Sequence, residues 1–182
     1  MRHLALVAYF SVGLVLAATS LGSLTPRAVA RDSTPEAVCP VTTEEENEAV
    51  ARRWHDEAIN QADLDVLDEI TASDIIHHAG TFPDGIGTDA VKFVLGALLT
   101  GFPDLRHTIE QVIAKDDTVV IRWQAEGTND GEFQGHAPTG KTATWTGVNI
   151  YRFECGRIAE EWSEGDGLGR LMQLGLIATP TP

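Results

Sequence analysis

The chain has 182 residues, a hydrophobic fraction of 43% and a formal net charge of −14 at pH 7. That length fits one domain behind a leader, and such a domain is large enough to bury a core and one cavity. A surface so acidic repels phosphate backbones, so we expect no nucleic-acid partner. The two cysteines and six histidines lack metal-ligand spacing, and we expect no metal.

An export signal is predicted at the N-terminus. Arg2 and His3 precede an apolar run over residues 4–18, and the Ala-Val-Ala sequence at 28–30 is a small-x-small cleavage site. Cleavage there starts the mature chain at Arg31 and, by removing two arginines and no acid, changes the net charge from −14 to −16. A retained anchor is the alternative, but the run is shorter than the ~20 apolar residues that a spanning helix needs. We therefore expect a secreted or extracytoplasmic protein without a stable membrane anchor.

Cys39 and Cys155 predict a disulfide, because exported proteins meet an oxidising compartment. Two free thiols are the alternative, since the sequence does not show whether the two Cα atoms lie within bridging distance. The division of the chain is then a signal at 1–30, a linker at 31–43, one domain at 44–176 and a disordered tail at 177–182.

The first half of the domain carries helical signals. Thr42 or Thr43 can cap a helix that has three glutamates at 44–46 in its first turn and apolar residues at 50, 54, 58 and 59. A second helix is predicted from about Asp63. A strand at 74–78 and a loop at 79–87 follow, and a third helix is predicted from Thr88 to Gly101.

The second half carries strand signals. A period of two predicts strands at 105–114, 118–128, 142–153 and 157–164, with tight turns at 116–117 and 155–156 and a surface loop at 129–141. A last helix is predicted from Asp166 to Gly175. The expected fold is α+β: a curved antiparallel sheet wraps around the N-terminal helices in a cone and encloses a pocket. Alternation turns Arg122, Gln124 and Glu126 outward, and we expect self-association, as a homodimer or larger, through that face.

Tryptophans are the candidate pocket walls. Trp123, Trp145 and Trp162 lie on predicted strands and Trp54 lies on the apolar face of the first helix. Flat rigid rings suit a hydrophobic, ring-shaped ligand, and plain core packing is the alternative for each of them.

Asp166 and the pair His77 and His78 are the candidate acid/base residues. A carboxylate at the mouth or wall of an apolar cavity has a raised pKa and can move protons near neutral pH. Asp166 can instead, or in addition, be the N-cap of the last helix. Only one of the two histidines can face the interior, because neighbouring strand residues point to opposite faces. That histidine can bind a ligand oxygen, and a structural role is the alternative.

Several motifs together resemble the SnoaL-like polyketide cyclase, or ester cyclase, family over roughly residues 44–176. They are Gly101-Phe102-Pro103-Asp104-Leu105, Gly127-Thr128 with Gly131, Phe133 and Gly135, Pro138-Thr139-Gly140-Lys141, Gly147-Val148 with Ile150 and Arg152, and Trp162 to Asp166 ending in Gln173-Leu174-Gly175. The resemblance implies a nuclear-transport-factor-like cone fold without a cofactor, usually oligomeric.

The resemblance also implies chemistry, an intramolecular aldol ring closure in which an aspartate is the general acid/base. By motif, Asp166 matches that aspartate and His78 matches a histidine often found at the end of the first strand. The chain departs from the pattern at two places, with Glu161-Trp162 where such sequences often read His-Trp and Gly127-Thr128-Asn129 where many read Gly-Thr-His.

Two functions follow from these observations. The first is a cofactor-independent acid/base enzyme that acts on a hydrophobic carbonyl compound, with Asp166 as the proton carrier. Ketosteroid isomerase chemistry is less expected, because it needs a tyrosine oxyanion donor and the mature chain has only Tyr151. The second is an extracellular module that binds an apolar small molecule without converting it.

Overall fold

A computed structural model describes residues 39–80 and 84–178. The predicted export signal, the start at Arg31 and the last four residues of the predicted tail lie outside these ranges. Within the described ranges no helix is both long and apolar enough to cross a membrane.

Helices and strands follow the predicted order. The elements are α1 (Glu44–Arg53), a π-helical turn (Trp54–Ile59), α2 (Val66–Ile70), β1 (Thr71–His78), β2 (Gly85–Ile86), α3 (Thr88–Gly101), β3 (Arg106–Lys115), β4 (Thr118–Thr128), β5 (Thr142–Glu154), β6 (Arg157–Gly165) and α4 (Gly167–Leu174). The strands form one open, curved sheet in the order β2-β1-β6-β5-β4-β3. The domain therefore has the expected α+β cone-like fold.

The sheet is mixed, so the prediction of a purely antiparallel sheet was wrong. Strand β1 runs parallel to β6, while the other pairs are antiparallel. Strand β1 also begins three residues earlier than predicted, and the short strand β2 lies inside the predicted loop. No hairpin joins β1 to β6, so no turn signal in the sequence reports their relative direction.

The first predicted helix is divided into two parts. Thr43 caps α1 through a capping box, in which it accepts a hydrogen bond from the Glu46 backbone N–H (3.2 Å) and donates its own N–H to the Glu46 carboxylate (2.8 Å). After Arg53 the backbone widens, and Asn60 N–H donates to the carbonyl of His55, five residues back. Such π-helical turns are common at functional sites. Here the turn buries Trp54 and His55 although they are neighbours in sequence.

The core lies between the helices and one face of the sheet. Helical residues such as Leu67 and Val91 pack with alternating strand residues such as Ile121 and Ile158. On the opposite face of β4, Arg122, Gln124 and Glu126 are exposed, which confirms their predicted orientation. Self-association through that face stays a prediction.

Cys39 and Cys155 form the expected disulfide, with Cα atoms 4.7 Å apart. Cys155 lies in the tight turn between β5 and β6, where it and Gly156 both adopt positive φ (53° and 75°). The bridge therefore ties the segment before α1 to the sheet.

Replacing both cysteines with serine is expected to lower the free energy of unfolding by about 2–4 kcal/mol, because the bridge restricts the unfolded chain. Urea denaturation of the oxidised parent and of the double variant measures the difference. Parent protein treated with a reductant is the control and should match the variant. Identical curves for all three samples would show that the bridge contributes nothing.

Candidate active site

A cavity of about 210 Å³ opens among the helices and the inner face of the sheet. Large apolar side chains form much of its wall, including Trp54, Leu95, Trp123, Phe133 and Trp145. The same cavity is lined by five buried polar residues, His77, His107, Asn149, Glu161 and Arg170. An apolar pocket with a few converging polar groups is the usual form of a small-molecule site. The described residues contain no cluster of three or more histidine, cysteine or acidic side chains that could hold a metal ion.

A buried carboxylate, Glu161, is the centre of one hydrogen-bond chain. Its side chain is 0% exposed, and its Oε2 lies 2.5 Å from Nδ1 of His77. Its Oε1 accepts a hydrogen bond from Nδ2 of Asn149, whose Oδ1 accepts one from Nε1 of Trp123. Because the indole N–H can only donate, it fixes which end of the Asn149 amide points to the carboxylate. Nε2 of His77 is buried and has no partner in the described part of the chain.

Gly147 makes room for this chain. It lies opposite Trp123 across the β4–β5 pairing, and a Cβ atom at 147 would collide with the indole ring of Trp123. The glycine therefore lets the ring lie across β5 toward Asn149. This packing gives the glycine of the Gly147-Val148 motif a structural role: it leaves space for the indole ring.

A second buried chain leads to the cavity from the core. The hydroxyl of Tyr151 lies 3.0 Å from Nε2 of His55, and Nδ1 of His55 lies 3.1 Å from Nδ1 of His107. Burial, with smaller effects of His107 and Arg52, holds the pKa of His55 well below its usual range, and burial lowers the pKa of His107 to about 3. Both rings are therefore neutral near pH 7. His107 also stacks on Trp123, with ring centroids 4.3 Å apart.

The direction of hydrogen-bond donation along this second chain follows from the tyrosine at its buried end. Tyr151 is 0% exposed and does not line the cavity, so its hydroxyl proton has His55 Nε2 as its acceptor. His55 then carries its proton on Nδ1 and donates to Nδ1 of His107, which must carry its own proton on Nε2. In the reverse direction the tyrosine proton would stay unsatisfied in the core, at a cost of about 1–3 kcal/mol. Nε2 of His107 has no partner among the described residues.

Arg170, in the first turn of α4, is 8% exposed. Its guanidinium lies 4.8 Å from the ring centroid of Phe133, 5.0 Å from that of Trp145 and 5.9 Å from that of Phe102. Burial lowers its pKa, and the charge of Asp166 opposes that effect. Its Nε is buried without a hydrogen-bond partner among the described residues.

The predicted site residues divide into two groups. Trp54, Trp123 and Trp145 line the cavity, and of the two neighbouring histidines it is His77 that does so. The other group lies outside the lining: Asp166, His78 and Trp162.

Asp166 is exposed, and it caps α4 by accepting a hydrogen bond from the Gly169 N–H (2.7 Å). The N-cap interpretation is therefore confirmed. The expected place of Asp166 in the cavity wall was wrong, because the capping geometry directs its side chain to the backbone of its own helix.

His78 and Trp162 stack on each other on the opposite sheet face, with ring centroids 5.3 Å apart. A hydrogen bond to Glu160, with help from Asp84, raises the pKa of His78. The inward placement expected for Trp162, and for His78 by motif, was therefore wrong. In the parallel register His77 pairs with Glu161 and His78 with Trp162, so the two pairs take opposite faces.

Sequence reasoning missed four of the five buried polar residues that line the cavity: His107, Asn149, Glu161 and Arg170. Alternation on β5 does put Asn149 on the face of Trp145 and Tyr151, so its inward position was readable. Glu161 stands at a departure from the family pattern. Asn129, at the other departure, is buried and bonds the backbone of Gly101, Gly131 and Thr139, so it has a structural role in its loop.

We expect Asp166→Ala to lower the free energy of unfolding by about 1 kcal/mol, because it removes the cap, and Asp166→Asn to change it little. Urea denaturation measures both variants against the parent. Equal destabilisation by Asn and Ala would mean that the negative charge beside Arg170, rather than the cap, is what matters.

The sequence model of the SnoaL-like polyketide cyclase family matches residues 49–174. A protein of Jannaschia sp. CCS1 named as a SnoaL-like polyketide cyclase is similar in structure, with a TM-score of 0.69, 23% identity, and coverage of 75% of this chain and 94% of that one. AclR of Streptomyces galilaeus, named as a hydroxylase, has a TM-score of 0.67 and 28% identity over 76% of this chain and 87% of its own. IdmH of Streptomyces antibioticus, named as a polyketide cyclase, has a TM-score of 0.61 and 31% identity over 71% of this chain and 98% of its own. No curated protein matches the sequence. The chain belongs to the SnoaL-like polyketide cyclase family.

Proposed function

We propose that this protein is a cofactor-independent acid/base enzyme of the cyclase or isomerase type that acts on a hydrophobic carbonyl compound. The observation that carries the proposal is the buried Glu161–His77 pair in the wall of an aromatic cavity. Relatives with this fold are named both as cyclases and as a hydroxylase, so the argument rests on the site and not on the fold.

His77 is the proposed base. A carboxylate that accepts the Nδ1 proton of a histidine fixes the ring and leaves the lone pair on Nε2. Glu161 is placed to do this, since Asn149 occupies its other oxygen and His77 Nε2 has no partner among the described residues. The carboxylate also stabilises the imidazolium that forms when Nε2 takes a proton.

His107 is the proposed hydrogen-bond donor for the carbonyl oxygen. A neutral imidazole with its proton on Nε2 can polarise a carbonyl and stabilise the enolate that develops from it. The chain from Tyr151 through His55 supplies that tautomer, and the low pKa of His107 keeps the ring neutral.

The reaction then begins and ends with a proton transfer at His77. His77 Nε2 removes a proton from the carbon next to the carbonyl, and the electron pair of that C–H bond moves into an enolate whose oxygen accepts a hydrogen bond from His107. The enolate carbon next attacks a second carbonyl of the same molecule, which closes a ring and leaves an alkoxide. Where a conjugated carbon–carbon double bond makes the anion a dienolate, its far carbon is protonated instead, which shifts the double bond and isomerises the compound. The protonated His77 returns its proton to the new alkoxide or carbon.

We also propose that the protein works outside the cytoplasm. The disulfide between Cys39 and Cys155 supports this, because such bridges persist in oxidising compartments. The predicted signal at residues 1–30 supports it as well.

His77→Gln and Glu161→Gln are expected to lower the catalysed exchange of α-protons of 2-indanone in D₂O by about 10²–10⁴, because each removes part of the base. Proton NMR of the ketone measures the exchange rate. His78→Gln and Glu160→Gln are matched controls, since each makes the same chemical change one residue away on the other sheet face.

The same variants test the other assignments. Loss of exchange in His78→Gln and Asp166→Asn, with parent rates in His77→Gln, would restore the assignment that family motifs imply. Binding of the ketone without any exchange by the parent would favour the non-catalytic binding module.

A further inference from the structure

Arg170 differs from the other arginines of the described ranges because its guanidinium has neither an ion-pair partner nor a hydrogen-bond acceptor. Four of them, Arg52, Arg53, Arg122 and Arg152, form ion pairs with glutamates, while Arg106 and Arg157 donate to backbone carbonyls. Within residues 39–80 and 84–178 the side chain of Arg170 forms neither an ion pair nor a hydrogen bond, although it is 8% exposed. Asp166, four residues earlier, acts on it only through space.

The aromatic rings around Arg170 attract its positive charge but give its N–H groups no hydrogen-bond acceptor. Phe133 and Trp145 lie about equally close, at 4.8 and 5.0 Å, and attraction between a cation and ring faces is worth about 0.5–2 kcal/mol. An aromatic ring offers no oxygen or nitrogen acceptor here, so these contacts leave the five N–H donors of the guanidinium without a hydrogen-bond partner among the described residues. Burying a guanidinium whose N–H groups lack acceptors costs free energy, unless an anion accepts hydrogen bonds from them.

The geometry points to a ligand carboxylate as that anion. We propose that Arg170 binds a carboxylate on the ligand, and that the substrate of the proposed enzyme is therefore a hydrophobic keto acid. The inference rests on the proposed function for the carbonyl part of the molecule. The carboxylate part rests on Arg170, which lines the same cavity as His77 and His107.

A carboxylate fits this position better than a phosphate. The planar guanidinium matches a carboxylate with two parallel hydrogen bonds. Two acids, Glu161 and Glu164, also line the cavity and would repel a dianion. Arg170 is the only arginine among the lining residues, and none of them is a lysine. The cavity of about 210 Å³ further favours a small ring acid.

The test compares 3-phenylpropanoate with its neutral counterpart 3-phenylpropanamide by isothermal titration calorimetry at neutral pH. The parent should bind the carboxylate at least about tenfold more tightly than the amide, because a charge-assisted bidentate pair is replaced by a weaker neutral one. Comparable affinities for the two probes in the parent, or no binding of either at millimolar concentration, would overturn the inference. This comparison needs no variant and so does not depend on how any substitution folds.

Variants assign the preference to Arg170. Arg170→Met keeps an unbranched buried side chain and should abolish the preference for the carboxylate, whereas Arg122→Met, on the exposed sheet face and paired with Glu110, should keep it. A preference that survives in Arg170→Met with parent-like circular dichroism would also overturn the inference.

His77→Gln should lose proton exchange and retain the preference for the carboxylate. A parent that prefers the carboxylate but exchanges no ketone protons would refute the proposed function alone, and exchange without the preference would refute only this inference.

Discussion

A carboxylate at 0% exposure is the constraint on which the rest of the site depends. An ionised carboxylate loses several kcal/mol of hydration when it is buried, and it remains stable only when its oxygens are hydrogen-bonded. Glu161 meets this condition with Asn149 on one oxygen and His77 on the other. Asn149 in turn is oriented by Trp123, whose ring needs the space that Gly147 leaves. One buried carboxyl group therefore constrains the residues at several positions on four neighbouring strands, β1, β6, β5 and β4.

The two histidine chains give the cavity complementary groups. In the proposed assignment, the chain through Glu161 ends in the lone pair of His77, and the chain through Tyr151 and His55 ends in the N–H of His107. A base on one side of the cavity and a neutral hydrogen-bond donor on the other suit the removal of a proton next to a carbonyl. The π-helical turn contributes to both chains, because it brings Trp54 against His77 and His55 against His107.

Sequence reasoning predicted most of the fold because the local signals agree with each other. Thr43, the turns at 116–117 and 155–156, and the cap at Asp166 all lie where the patterns place them. It failed where no local signal in the sequence shows which face of the sheet a side chain occupies. The run Ile75-Ile76-His77-His78 has paired residue types, so alternation does not say which isoleucine and which histidine are buried.

Sequence reasoning missed the inward orientation of Glu161 for a different reason. A two-residue turn at 155–156 with a regular register would put Glu160 opposite Tyr151. A bulge between Arg152 and Phe153 shifts the pairing by one residue and puts Glu161 there instead. A shift of one residue reverses the face of every side chain beyond it. The bulge therefore turns Glu161 inward and Trp162 outward, the reverse of what the aromatic residue alone suggests.

The most direct test of this account is the protonation of the two imidazole rings, observed by long-range ¹H–¹⁵N NMR correlation at mildly alkaline pH. The account predicts that His77 carries its proton on Nδ1 and has a free Nε2, and that His107 carries its proton on Nε2. Spectra of His77→Gln and His107→Gln assign the signals. The same tautomer on both rings, or a proton on Nε2 of His77 and none on Nε2 of His107, would contradict the assignment of base and donor.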